Sequence, residues 1–99
     1  MAHRVAPRAE ADLDEIWLYL AKESGSLETA NRLIDSITDR FLFLSRFPHA
    51  GRTRDRDFGA GTRSFPVGEY VIVYCVEGED VFILRVVHGR RDFASLFEV

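Results

Sequence analysis

The sequence is short of several things, and each shortage closes off a class of protein. It has one cysteine, Cys75, so no disulfide can form within the chain, and that usage suits a reducing cytoplasm. It has no excess of positive charge. Thirteen basic and 16 acidic residues leave a net charge of −3, which removes the usual electrostatic footprint of a nucleic-acid binder. No apolar run approaches the roughly 20 residues that a membrane span needs, so no membrane partner is expected. The opening MAHRVAPRAEADLDEI offers no apolar segment for a secretory signal. Neither a glycine-rich phosphate loop nor a nucleophile motif is present. His3, His49 and Cys75 have no ligand-like spacing to His88, so neither a metal nor a cofactor is expected. Lysine is nearly missing: Lys22 stands alone among thirteen cations, the rest being arginine. Arginine is the better residue for planar, bidentate or stacked contacts, although a GC-rich genome would produce the same bias.

What remains is an ordinary globular composition, 46% hydrophobic and 29% charged, and 99 residues point to one domain over 1–99. Residues 3–6 suit a short edge strand. Pro7 suits the first turn of a helix, and Leu13, Ile16, Trp17 and Leu20 repeat at helical spacing, which makes Trp17 a core residue and leaves Tyr19 off the stripe. Glu10, Asp12, Asp14 and Glu15 place negative charge near the positive end of that helix, which ends near Ser24-Gly25. Ser26 is the expected N-cap of a second helix carrying Ala30, Leu33, Ile34, Ile37, Phe41 and Leu44, stopped by Pro48. A link of about three residues implies an antiparallel helical hairpin. Phe43 and Phe47 lie off the stripe, so that end should meet something besides the first helix.

Residues 49–61 (HAGRTRDRDFGAG) read as a solvated loop, its arginines and aspartates alternating. TRSFPV, EYVIVYCV and DVFILRVV then read as strands. Gly78-Glu79 fits a two-residue type II′ turn, a register that pairs Val76 with Val81, Tyr74 with Ile83, Ile72 with Arg85 and Tyr70 with Val87. One face of this ribbon holds Tyr70, Ile72, Tyr74, Ile83, Arg85 and Val87. The other holds Val71, Val73, Cys75, Phe82, Leu84, Val86 and His88. Both faces are largely apolar, whereas a sheet with one wet face should alternate. The hairpin can cover only one face. The other is expected either to be an exposed apolar patch that a partner covers or to be closed by the C-terminal DFASLFEV.

Several stretches, taken in order, resemble the RelE/ParE superfamily of toxins from type II toxin–antitoxin pairs, and the ParE branch in particular. They are Ala9-Glu10-Ala11-Asp12-Leu13 with Ile16 and Tyr19, Phe47-Pro48-x-x-Gly51-Arg52, and Arg63-Ser64-Phe65-Pro66-Val67 leading into Tyr70-Val71-Ile72-Val73-Tyr74. The last is Arg85-Val86-Val87-His88-Gly89-Arg90-Arg91-Asp92. The resemblance spans essentially the whole chain. It implies an α+β fold, an N-terminal helical hairpin packed on a small antiparallel sheet of three to four strands. It also implies a toxin that inhibits DNA gyrase, a cognate ParD-like antitoxin held in a hetero-oligomer, and operator DNA bound only through that antitoxin.

The superfamily also contains ribosome-dependent mRNA endoribonucleases, and the residues bear on that alternative. Backbone cleavage needs a base or orienter for the 2′-hydroxyl, cations for the developing charge and an acid for the leaving group. By resemblance, the nucleases carry arginines where this chain has Val71 and Arg91, and a tyrosine where it has Phe97. Only Arg91 keeps the required chemistry, so no catalytic residue is assigned. A third reading is a toxin-like subunit that has lost activity. The resemblance assigns target binding to Arg63, Arg85, His88, Arg90 and Arg91. Burying arginine is costly and would turn the Arg85 face outward. The resemblance implies the reverse, with Val71, Val73, Phe82 and Leu84 turned away from the helices and covered by the antitoxin.

Overall fold

In a computed structural model that describes residues 2–93, the elements run β1 (His3–Val5), α1 (Pro7–Ser24), α2 (Leu27–Arg46), β2 (Arg52–Thr53), α3 (Asp55–Phe58), β3 (Thr62–Val67), β4 (Tyr70–Glu77) and β5 (Asp80–His88). Pro7 opens α1, and Gly25 closes it in the left-handed region at φ 67°, where a side chain would be strained. The Ser26 hydroxyl accepts the Thr29 N–H at 3.2 Å, the N-cap bond that starts α2. The two helices pack as a hairpin over one face of the sheet. Phe43 leaves that interface for Phe65 on β3, their ring centroids 5.6 Å apart.

The sheet has five strands in the order β1-β5-β4-β3-β2. Two of them depart from the sequence expectation of three to four antiparallel strands. β1 forms an edge, as expected, but runs parallel to β5. β2 and the single turn α3 arise inside the segment read as a solvated loop. Side chains build them: Arg54 donates from Nε to the Ser64 hydroxyl at 2.8 Å, and Asp55 accepts the Gly61 N–H at 3.0 Å. Arg54 also pairs with Asp57 and is only half exposed. Arg54 and Asp55 thus serve the neighbouring strand and backbone, while Arg52, Arg56 and Asp57 stay exposed to water as expected.

Ile16 from α1 and Ile37, Phe41 and Leu44 from α2 pack on Tyr70, Ile72, Tyr74, Val81, Ile83 and Val86. Each such buried aliphatic or aromatic side chain stabilises the fold by about 1.5–3 kcal/mol. The helices therefore cover the Tyr70–Ile72–Tyr74 face. Trp17 is not fully in this core; it is half-buried and donates its indole N–H to Asn31 on α2 at 2.7 Å.

The β4–β5 register corrects the sequence reading. Val76 faces Val81 and Tyr74 faces Ile83 as expected, and Gly78 takes φ 62° in the connecting turn. A β-bulge then passes over Leu84, so Val73 faces Arg85, Ile72 faces Val86 and Tyr70 faces His88. Because side chains alternate along a strand, a one-residue slip exchanges the two faces. Val86 enters the core in place of Arg85, and His88 reaches Tyr70. The arginine cost that argued for turning this face outward is met by the bulge instead.

The outer face is drier than expected. Val71, Cys75, Phe82 and Leu84 are half-buried, and Val73 and Val87 are buried at 3% and 4% exposure. Among the described residues, Arg4 lies 5.4 Å over the Phe82 ring. Among the described residues, the large apolar side chains that stand exposed are Leu18, Tyr19, Leu27, Leu42 and Phe47, none of them on a strand. Most of DFASLFEV lies outside the described residues. Its Phe93 packs edge-on against Phe58, with the Arg54 guanidinium 4.9 Å from the Phe93 ring centre.

Candidate functional site

The end of β5 and the first helix enclose an open groove of about 500 Å³, lined by Arg8, Asp12, Glu15, Tyr19, Tyr70, Arg85, His88, Arg91 and Asp92 among others. It continues past Tyr19 and Tyr70 toward Leu33 and Glu69. The topology makes this opening. β1 pairs with β5 only as far as Ile83, so the outer edge of β5 is open beyond that point.

Asp12 closes part of that edge. It is 5% exposed, accepts Arg85 Nε at 2.8 Å and Nη2 at 3.2 Å, and also accepts the Val86 N–H at 2.9 Å. A carboxylate in this position fixes the bulge, anchors α1 to β5 and neutralises Arg85. From sequence alone Asp12 reads as one of four acids complementing the helix dipole. That effect falls off within the first turn, and among the acids only Glu10 lies there. The usable signal was an acid on the same stripe as Ala9 and Ile16, since an acid on a buried face implies a partner.

His88 sits opposite Tyr70, its ring edge-on at 5.4 Å between centroids. Nδ1 accepts the backbone N–H groups of Arg90 at 3.2 Å and Arg91 at 3.1 Å, while Nε2 lies 3.8 Å from Glu69. Arg91 then lays its guanidinium 5.1 Å over the exposed Tyr19 ring, a cation–π seat. Burial raises the Tyr70 phenol above its ordinary value, with the Arg91 charge opposing. Burial and Glu77 raise the Cys75 thiol in the same way, which disfavours thiolate chemistry.

Of the five arginine and histidine positions singled out for target binding, Arg85, His88 and Arg91 meet in this groove. Arg90 follows His88 and is exposed but does not line it. Arg63 is elsewhere. It donates to the carbonyls of Gly51 at 2.7 Å and His49 at 3.2 Å. Together with Tyr74 it holds the Pro48–Gly51 turn: the Tyr74 hydroxyl donates to Pro48 at 2.8 Å and accepts from Gly51 at 2.9 Å. The four candidate antitoxin positions, Val71, Val73, Phe82 and Leu84, are absent from the core cluster under the helices.

The groove's formal charges balance: Arg8, Arg85 and Arg91 face Asp12, Glu15 and Asp92. It is therefore a poor isolated cradle for phosphate and a better match for a surface that carries both signs. A helical hairpin over a five-stranded sheet is the fold this chain shares with chains of ParE- and RelE-type toxin–antitoxin systems. The chain resembles a chain of the chromosomal ParDE toxin–antitoxin system of P. aeruginosa, with a TM-score of 0.75 at 23% identity over 89% of this chain and 95% of that one. It also resembles a chain of the RelBE2 toxin–antitoxin complex of Mycobacterium tuberculosis, with a TM-score of 0.65 at 28% identity over 88% and 95%.

The chain belongs to the ParE toxin family of type II toxin–antitoxin systems, whose profile matches residues 4–93. Toxin ParE3 of Caulobacter vibrioides is 36% identical over 84 residues, 85% of this chain and 82% of that toxin. Toxin ParE1 of the same organism is 34% identical over 86 residues, 87% and 86% of the two chains.

Proposed function

We propose that this toxin is a non-enzymatic inhibitor of DNA gyrase in the cytoplasm, neutralised by a ParD-like antitoxin in a hetero-oligomer. The observation that carries the reading is the chemistry of the groove. The Nδ1 of His88 is engaged by the turn that follows it; outside the groove, beside Gly51, Arg52 and Arg54, position 71 carries a valine where the nucleases, by resemblance, carry an arginine. No side chain in the groove is poised as a base beside a nucleophile. Docking falls instead to Arg91, Arg90 and the half-exposed Arg85, with Arg63 acting through the turn it holds. No helix among the described residues is long and apolar enough to cross a membrane, in keeping with a soluble target.

In this reading the antitoxin covers the outer sheet face over the half-buried Val71, Phe82 and Leu84, next to the already buried Val73. An amphipathic segment that folds as it binds would complete their burial. Operator DNA is then reached only through the antitoxin. Purified toxin mixed with gyrase and relaxed plasmid should block supercoiling. Unimpaired supercoiling at saturating toxin overturns the proposal. Primer extension on translated mRNA addresses the nuclease reading, which Arg91 alone favours; discrete breaks within codons would establish it.

A further inference from the structure

We infer that His88 is the positioning residue of the docking groove: its unprotonated Nδ1 folds residues 89–92 into a turn and thereby sets Arg91 on Tyr19. The docking value of Arg91 rests on the function proposed above; the folding of the turn does not.

Four successive N–H groups after β5 converge on this one residue. Those of Arg90 and Arg91 donate to Nδ1, and those of Asp92 and Phe93 donate to the His88 carbonyl at 2.9 Å and 3.1 Å. The Gly89 N–H goes to the Glu69 carbonyl at 2.8 Å, which ties the turn to the β3–β4 connection. A nitrogen that accepts carries no proton, so the neutral ring holds its hydrogen on Nε2. At 3.8 Å, Nε2 is too far from Glu69 for a direct hydrogen bond. The ring cannot swing away cheaply, because it is wedged edge-on against Tyr70 with its side chain 13% exposed.

Protonating Nδ1 turns an acceptor into a donor. The Arg90 and Arg91 N–H groups then lose their partner and face a positive charge. Glu69, from the β3–β4 turn, favours that charge. Arg85 on β5 and Arg91 in the turn oppose it. The phenols of Tyr70 and Tyr19 complete the wall toward β4 and α1. None of these groups accepts either N–H in place of Nδ1. The turn must therefore loosen when the ring gains a proton, and Arg91 loses its fixed approach to Tyr19.

Amide exchange on the full-length protein tests this, followed by NMR from about pH 8 downward until the ring signals of His88 show that it has gained its proton. After correction for intrinsic rates, protection of the Arg90 and Arg91 amides should fall about ten-fold across that range. His88→Asn places an acceptor oxygen near the Nδ1 position and cannot gain the charge. It should keep the protection seen at high pH and lose the pH dependence. His88→Ala should lose protection at every pH. A pH-independent profile in the unaltered protein, an unprotected Asn variant, or a proton found on Nδ1 at the alkaline end overturns the inference. If the profile and the Asn rescue hold while Arg91→Ala leaves gyrase inhibition unchanged, the latch stands and the docking reading falls.

Discussion

Asp12 and Arg85, 73 residues apart in sequence, form a two-pronged ion pair in which the carboxylate also takes the Val86 N–H. The pair joins the first helix to the last strand at the point where β1 no longer protects the sheet edge. Removing one partner of a buried pair strands a desolvated charge, at a cost of about 3–5 kcal/mol. Arg85 keeps 27% of its side chain exposed, which puts the expected cost at the low end. Asp12→Ala and Arg85→Ala should each lower stability by about 3 kcal/mol in urea melts. The double variant should lose clearly less than the sum, since both singles remove one interaction. Additive losses would show that the pair is not the clamp.

Gly51 is required by space, not by backbone conformation. A Cβ there would meet the Tyr74 hydroxyl and come within 2.7 Å of the Ser64 carbonyl oxygen. Gly51→Ala should therefore cost about 1–3 kcal/mol through overpacking. Tyr74→Phe leaves the buried Gly51 N–H without its acceptor and should cost about 1–3 kcal/mol. Both changes act on the same turn, so thermal melts of the two variants should fall together while the helices keep their far-UV circular dichroism.

Tyr70 and Tyr74 set the alkaline limit of the fold. Burial raises both phenols above the ordinary value of 10.0; Gly51 and Arg63 oppose the shift at Tyr74. The folded state thus holds these protons more tightly than the unfolded chain does. Their contribution is fully present below about pH 10 and is lost as pH rises through the raised folded values. Denaturant melts should show constant stability from these groups up to that point and a decline above it. Phenolate absorbance should rise with unfolding rather than ahead of it. Arg91→Ala, by removing an opposing charge, should move Tyr70 further upward.

The helices and the three long strands were legible because their signals are local. Pro7, Ser26 and Pro48 punctuate the hairpin, and Gly78 makes the turn that starts the β4–β5 register. The bulge at Leu84 was not legible, because it is decided by Asp12, which reaches β5 only in three dimensions. β2 and α3 were hidden for a related reason. Arg54 and Asp55 build them by bonding to Ser64 and Gly61, and charge alternation reads the same whether it faces water or backbone. In the candidate groove, Arg85, His88 and Arg91 do come together, but in company that the sequence pattern does not reveal. Arg63 drops out of the groove, and Asp12 and Tyr19 enter it, since helix and strand meet there through the parallel placement of β1.

That rearrangement predicts an order among the arginines. Arg91 is exposed and seated on Tyr19, Arg90 is exposed beside it, Arg85 is committed to Asp12, and Arg63 is committed to the Pro48–Gly51 turn. A docking contact should show itself in activity without a change in stability, and a structural contact in stability first. Arg91→Ala should weaken gyrase inhibition by about ten-fold, equivalent to about 1.4 kcal/mol, with an unchanged melt. Arg90→Ala should act in the same direction but less, and its effect should shrink as salt screens the exposed charge. Arg63→Ala should lower the melting temperature, because the Gly51 and His49 carbonyls lose their donor, and should weaken inhibition only in step with the unfolded fraction. Dose–response curves for supercoiling inhibition, read beside thermal melts of the same preparations, separate the two classes. If Arg63→Ala proved fully stable yet inactive while Arg91→Ala remained fully active, the docking surface would lie on the β3 side of the molecule and the groove beside α1 would not be the site.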